Sequence, residues 1–164
     1  MFSYQVRDLT AEDESIVWTM LMYAAHESSI EAVQKQPYLC RYAEDWGREG
    51  DMGSVAFADN KPIGAVWLRL WSGSDRGFGY IDASIPELAM AVLPEYRGKG
   101  VGSKLLKAIL EKAQGLFPAI CLNVREDNPV VRLYERIGFV RVEGSKIVNR
   151  VGGVSFNMMY SNHK

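Results

Sequence analysis

Ala89-Met90-Ala91-Val92-Leu93-Pro94-Glu95-Tyr96-Arg97-Gly98-Lys99-Gly100-Val101-Gly102-Ser103-Lys104-Leu105-Leu106 decides the fold of this chain. Its first five residues form an apolar run that predicts a buried strand, Pro94 ends the run, and Leu105, Leu106, Ile109 and Leu110 then recur at helical spacing. Between strand and helix lies a turn with glycines at 98, 100 and 102 and cations at Arg97 and Lys99. Lacking Cβ atoms, these glycines let backbone amides converge on one point. The first turn of the following helix adds unpaired N–H donors and the positive end of its dipole. Such a turn is built to hold an anion, and a pyrophosphate suits it best. Working outward, Ile120-Cys121-Leu122-Asn123-Val124 is the next apolar run. Strand, helix and strand over residues 88–124 make a crossover, which pairs the two strands in parallel and predicts an α/β chain.

Arg97-Gly98-Lys99-Gly100-Val101-Gly102, directly behind Val92-Leu93-Pro94, resembles the (Q/R)-x-x-G-x-(G/A) signature of the GNAT superfamily, the acyl-CoA-dependent N-acetyltransferases. Two competing phosphate motifs, G-x-G-x-x-G and G-x-x-x-x-G-K-(S/T), do not occur here. A second stretch, Asn128-Pro129-Val130-Val131-Arg132-Leu133-Tyr134-Glu135-Arg136-Ile137-Gly138-Phe139, matches another part of the family pattern in the expected order. The resemblance is dense over residues 87–139 and architectural elsewhere. It implies an α/β fold (α+β by some schemes): a mixed, mostly antiparallel sheet flanked by helices, with a central pair of parallel strands that splay at one end. Val131 departs from the pattern, because many relatives carry alanine there, close to the cofactor arm.

Length, charge and cysteine usage bound the rest. At 164 residues the chain is expected to be one domain, 1–164, burying about two thirds of its unfolded surface. With 19 Lys plus Arg against 20 Asp plus Glu, it lacks the broad basic face of a nucleic-acid binder. Cys40 and Cys121 are not spaced as metal ligands, either with each other or with His26 and His163, so no metal is expected and both thiols read as reduced. The opening residues lack the charged and apolar regions of a secretory leader, and no apolar run nears the ~20 residues that span a bilayer. A cytoplasmic protein with no membrane partner is the resulting expectation.

Taken in order, Tyr4 to Leu9 alternates as a strand. Thr10 and Asp13 form a capping box for a helix carrying Ile16, Val17, Met20, Leu21 and Ala24. A less regular helical region from Ile30 to Trp46 follows. Ser54 to Ala58 and Ile63 to Trp71 predict a hairpin across the turn Asp59-Asn60-Lys61-Pro62. Ser72 to Gly79 reads as a mobile loop, Gly138 as a helix stop, and Phe139 to Val142 with Ser155 to Tyr160 as a closing pair of strands.

The resemblance implies acetyl-CoA as co-substrate and direct attack by a primary amine on its thioester. The pantetheine arm would pair with backbone near Ala91, Val92 and Leu93, while the pyrophosphate would rest on the amides of Arg97, Gly98, Lys99, Gly100, Val101, Gly102 and Ser103. An amine with a pKa near ~10.4 must lose a proton before attacking, and Glu87, ahead of the cofactor segment, stands where some relatives carry the accepting carboxylate. Glu87 is equally readable as a surface acid at a strand end. A backbone amide at Ala91 or Val92 would stabilise the oxyanion. Tyr134 occupies the family's general-acid position, to protonate the departing thiolate; the bland alternative is packing. Asn128 would cap the helix bearing Tyr134 or reach the pantetheine amide, and Asn123 would line the same cleft.

For the acceptor, the candidates are Glu27, Trp46, Trp71 and Phe78, with Glu31, Glu44 and Asp45 adding negative charge suited to a cationic amine. For Trp46, as for the other aromatics between Ile30 and Trp46, the competing reading is packing of that region onto the sheet. A small-molecule or peptide amine is the expected partner, and the resemblance leaves room for a homodimer. The rival function is a non-catalytic module that binds or senses acyl-CoA.

Overall fold

The computed structural model describes residues 2–162 and divides into two compact units. The first comprises residues up to Arg69 together with Leu88–Ala113, the second Leu70–Glu87 together with the residues from Gln114 onward. His163 lies outside the described residues.

In the first unit, β1 (Gln5–Asp8), β2 (Met52–Ala58) and β3 (Lys61–Arg69) pair antiparallel in that order, and β4 (Glu87–Val92) lies next to β3. The β2–β3 hairpin turns on Asp59 and Asn60, both left-handed at φ 52° and 62°. This is the pair of positive φ angles that suits a tight hairpin to twisted strands. Pro62, predicted as part of the turn, instead sits within β3 opposite Phe57, at a register shift between Ala56 and Phe57. A bulge is one of the few places where a strand tolerates a residue with no N–H. α1 (Glu14–Ala24) packs on β3, and α4 (Val101–Ala113) packs on β2 and β3. The four leucines and isoleucines that predicted α4 are all buried.

The irregular region after α1 resolves into two short helices, α2 (Ile30–Gln34) and α3 (Pro37–Cys40). It is held by polar anchors that hydrophobic periodicity cannot reveal. The Trp67 indole N–H donates to Tyr42 O at 2.9 Å and that of Trp46 to Thr10 O at 2.9 Å. Arg69, fully buried, donates to Arg41 O at 2.8 Å and Glu44 O at 2.6 Å and pairs with Asp51 at 2.8 Å.

Before α1 the predicted capping box is present. Thr10 Oγ1 accepts from the Glu12 amide, and Asp13 Oδ2 accepts from the Thr10 amide at 2.8 Å. Asp13 also receives Arg7 at 2.9 Å, and this hydrogen bond, ahead of any other contact, holds its carboxyl below the usual carboxylate range. A depressed folded-state pKa stabilises the fold above the unfolded value of about 3.9, and that contribution disappears as pH falls through the folded value. Asp13→Asn is therefore expected to lose less stability than wild type between about pH 5 and pH 2. Chemical denaturation at the two pH values checks this, and parallel losses in both proteins would refute it.

The second unit is built on β5 (Ala119–Arg125), β8 (Val154–Ser161) and the short β6 (Val140–Arg141), with β7 (Ile147–Val148), unforeseen from the sequence, also on β8. All these pairings are antiparallel. The expected parallel step is Glu87, at the start of β4, beside Cys121 of β5. α5 (Val130–Ile137) ends at Gly138, whose φ of 129° lets its amide and that of Phe139 close on the carbonyl of Tyr134. The chain is thus mixed α/β, mostly antiparallel with one parallel pair.

Candidate active site

The glycine turn of the first unit has the form its sequence requires. A 3-10 turn, Pro94–Tyr96, carries the chain off β4, after which Gly98 and Gly100 adopt φ of 76° and 85°. Those angles are open to glycine and strained for most side chains. A Cβ built on either residue meets no atom within 4 Å, so the space beside both is open. α4 begins at Val101, and the Lys104 amide donates to Gly100 O at 3.1 Å. The amides of Val101, Gly102 and Ser103 precede that bond and form the helix's first turn of donors. An open cradle lined with amides at a helix N-terminus fits a pyrophosphate. Arg97 Nε donates to Val92 O at 3.0 Å, bracing the turn against the end of β4. Ala91, Val92 and Leu93 lead into the turn, and Leu93 donates to Ile63 O at 2.8 Å. Gly64 keeps β3 close beneath them, since a Cβ there would stand 3.1 Å from Ala91 O.

The second unit holds two groups. Glu87 is only 2% exposed and accepts the Trp71 indole N–H at 2.9 Å, which overturns the surface-acid alternative. Gly79 lies over its other oxygen: a Cβ at 79 would stand 3.0 Å from Glu87 Oε2 and 2.8 Å from the Leu122 carbonyl carbon. Beside Glu87 in the parallel step is Cys121, whose thiol is pushed far up, first by burial and then by the Glu87 charge. On α5, Tyr134 is 5% exposed and tilts against Phe139 at 5.5 Å between centroids, and Phe139 in turn meets Tyr160 at 5.4 Å. Burial raises the Tyr134 pKa well above that of an ordinary phenol. Asn128 caps its helix as expected: Oδ1 accepts from the Val130 amide at 3.0 Å, and Pro129 already has helical angles. This arrangement matches the side-chain cap with proline at the first helical position. Asn123 donates to Asn157 Oδ1 at 2.9 Å across β5 and β8.

The acceptor candidates fare differently. Trp46 is 7% exposed with its N–H spent on Thr10, and Trp71 is 1% exposed against Glu87. The expectation that these two indoles present a surface to an acceptor is corrected: both pack. Glu27 is half-buried and accepts Gln36 Nε2 at 3.1 Å. Phe78, in the loop before β4, is 39% exposed. The sequence reading missed the Trp71–Glu87 pair. Its one signal was a tryptophan just past the end of an apolar strand, where an indole N–H needs a buried acceptor.

Comparison with known proteins gives the class. The model of the GNAT acetyltransferase family matches residues 5–139, and the chain belongs to that family. An N-alpha-acetyltransferase of Saccharolobus solfataricus is 34% identical over 99 residues, 54% of this chain and 56% of that protein. The chain thus spans little more than half the length of that relative. Among solved structures, a GNAT-family acetyltransferase of Streptococcus pneumoniae superposes with a TM-score of 0.71 at 18% identity, covering 98% of this chain and all of the other (100%). A putative acetyltransferase of Salmonella typhimurium, solved with acetyl-CoA, gives 0.70 at 16% identity, covering 98% and 95% of the two chains. At these identities the likeness is one of fold.

Proposed function

We propose that the chain is an acetyl-CoA-dependent N-acetyltransferase, working as one catalytic domain whose acceptor is a primary amine. The observation that carries this is the open turn Arg97 to Ser103, with Gly98 and Gly100 at positive φ ahead of the first turn of α4. The family model spans residues drawn from both units, which supports reading them as a single domain. Bound acetyl-CoA supplies a thioester, an acyl group activated toward amines. The amides from Arg97 to Ser103 would hold its pyrophosphate, and the backbone of Ala91 to Leu93 would take the pantetheine arm. An amide at Ala91 or Val92 stabilises the oxyanion. Glu87, enclosed by Trp71 and Gly79, accepts the amine's proton through water rather than by direct contact. Tyr134 returns a proton to the departing sulfur. Direct attack is favoured over a covalent thiol intermediate because Cys40 and Cys121 are both buried, with thiol pKa values raised chiefly by that burial. The S. solfataricus relative is named for α-amines, which makes a polypeptide N-terminus the first acceptor to try. Cytoplasmic location and a homodimer belong to the same proposal.

Calorimetry with acetyl-CoA tests the cofactor, and thiol release over a panel of peptide α-amines and small amines tests the reaction. Gly100→Asp puts a carboxylate and a Cβ into the open cradle at a strained φ. It is expected to weaken acetyl-CoA binding at least about tenfold, from contacts of about 1.5–3 kcal/mol each. An unchanged dissociation constant in the folded variant would remove the turn from the site. Tight cofactor binding with no release on any amine would favour the sensing module.

A further inference from the structure

Phe2 and Tyr4 precede β1, yet their rings lie on the glycine turn almost a hundred residues later in the chain. The two rings stack with centroids 5.4 Å apart and an interplanar angle of 28°. Phe2 also meets Tyr96, in the 3-10 turn, at 5.7 Å. Over this platform stand two ammoniums of the turn and its helix: Lys99 Nζ is 5.4 Å from the Phe2 centroid and Lys104 Nζ 5.4 Å from that of Tyr4. Tyr4 Oη donates a long hydrogen bond, 3.4 Å, to Gly100 O. Among the described residues neither ammonium meets a carboxylate, and Glu95 beside the turn faces Lys61 at 3.9 Å instead.

We propose that Phe2 and Tyr4 are positioning residues that hold the Lys99 and Lys104 ammoniums beside the cradle for the cofactor's phosphates. This rests on the reading of the turn as the acetyl-CoA phosphate site. The physical reason is the choice of partner. A carboxylate would fix a lysine equally well, but it would cancel the field that attracts an anion. An aromatic face restrains the ammonium through the ring quadrupole and leaves its full charge in place. A free lysine stem loses substantial rotamer entropy when its head is captured by a ligand. Stacking the stems beforehand lowers that cost, so the gain is one of preorganisation. Lys99 and Lys104 flank the amides of Val101, Gly102 and Ser103 in sequence, so the platform complements those donors.

The test is a double-mutant cycle on acetyl-CoA affinity by calorimetry, with thermal melting to confirm folding. Removing both faces in Phe2→Leu/Tyr4→Leu is expected to weaken binding roughly 5- to 30-fold, the sum of two exposed cation–π contacts, with the loss falling on KM for acetyl-CoA. In a Lys99→Gln/Lys104→Gln background the same ring removal should cost far less, no more than the lost Tyr4–Gly100 hydrogen bond contributes, which Tyr4→Phe measures by itself, because the rings act chiefly through the lysines. Phe2→Trp, which keeps an aromatic face, should bind as wild type does. Affinity in the ring-deleted variant should also fall less steeply with salt. Ring removal that weakens the lysine-free background by the same factor, or leaves the wild-type background unchanged, would overturn the platform's role. No binding of acetyl-CoA by the wild-type chain would instead strike the cofactor reading on which it rests.

Discussion

Tyr134→Phe is expected to slow kcat by about 10²- to 10⁴-fold while leaving acetyl-CoA affinity nearly unchanged, the range set by loss of a general acid. The substitution removes one oxygen from a ring packed on Phe139, so the fold should survive. Burial raises the phenol's pKa, and the sign of that shift sharpens the prediction. A raised pKa keeps Tyr134 protonated throughout the assay range, so it contributes no falling limb to the rate below about pH 10. It also makes the phenol a weaker acid than a free thiol of pKa about 8.5, so the transfer runs uphill and depends on the negative charge that builds on sulfur as the C–S bond breaks. An acyl donor with a more acidic thiol needs less protonation and should partly rescue the variant. Turnover of wild type and variant with both donors decides the matter: equal losses for the two leaving groups would end the general-acid assignment. Weakened acetyl-CoA binding with intact kcat would make the hydroxyl an orienting group.

Asp51→Ala is expected to lower the free energy of unfolding by about 3–5 kcal/mol, the cost of leaving a buried charge without its partner. Asp51 receives Arg69 at both nitrogens, Nε at 3.0 Å and Nη2 at 2.8 Å, and also the amides of Gly47 and Arg48 at 3.0 and 2.9 Å. Both side chains are almost wholly enclosed. The same guanidinium holds the carbonyls of Arg41 and Glu44, so its release also loosens the short helical region after α1. Removing both charges in Asp51→Leu/Arg69→Met should cost less than the sum of the two single changes, since neither is then left buried alone. Urea denaturation of the four proteins measures this. A loss under about 1 kcal/mol for Asp51→Ala, typical of surface pairs, would contradict the buried-pair account.

Local signals carried much of the fold. The apolar run Ala89–Leu93, Pro94 and the Leu105, Leu106, Ile109, Leu110 spacing located β4, its end and α4, because an unbroken apolar run, an imide that cannot continue a ladder and 3.6-residue periodicity are all properties of neighbours in sequence. The Thr10–Asp13 box, the Asn128 cap and the Gly138 stop were legible for the same reason: each bond spans a few residues. β7 was not, since two exposed residues have no pattern to betray them, and Pro62 was misplaced because a bulge is created by the partner strand.

Site chemistry divides along the same line. By itself the sequence determined the glycine turn ahead of α4, the helix that carries Tyr134 and the family that both imply. Only the tertiary structure decided that Glu87 is enclosed by Trp71 rather than exposed, that Trp46 packs against Thr10 and that Arg69 is locked to Asp51. It alone set Phe2 and Tyr4 under Lys99 and Lys104. Each of these contacts joins residues far apart in the chain, and loop closure leaves no imprint on the composition of either partner. Whether a carboxylate faces water or an indole is fixed by what folds over it, and burial then sets the proton affinities on which the chemistry depends.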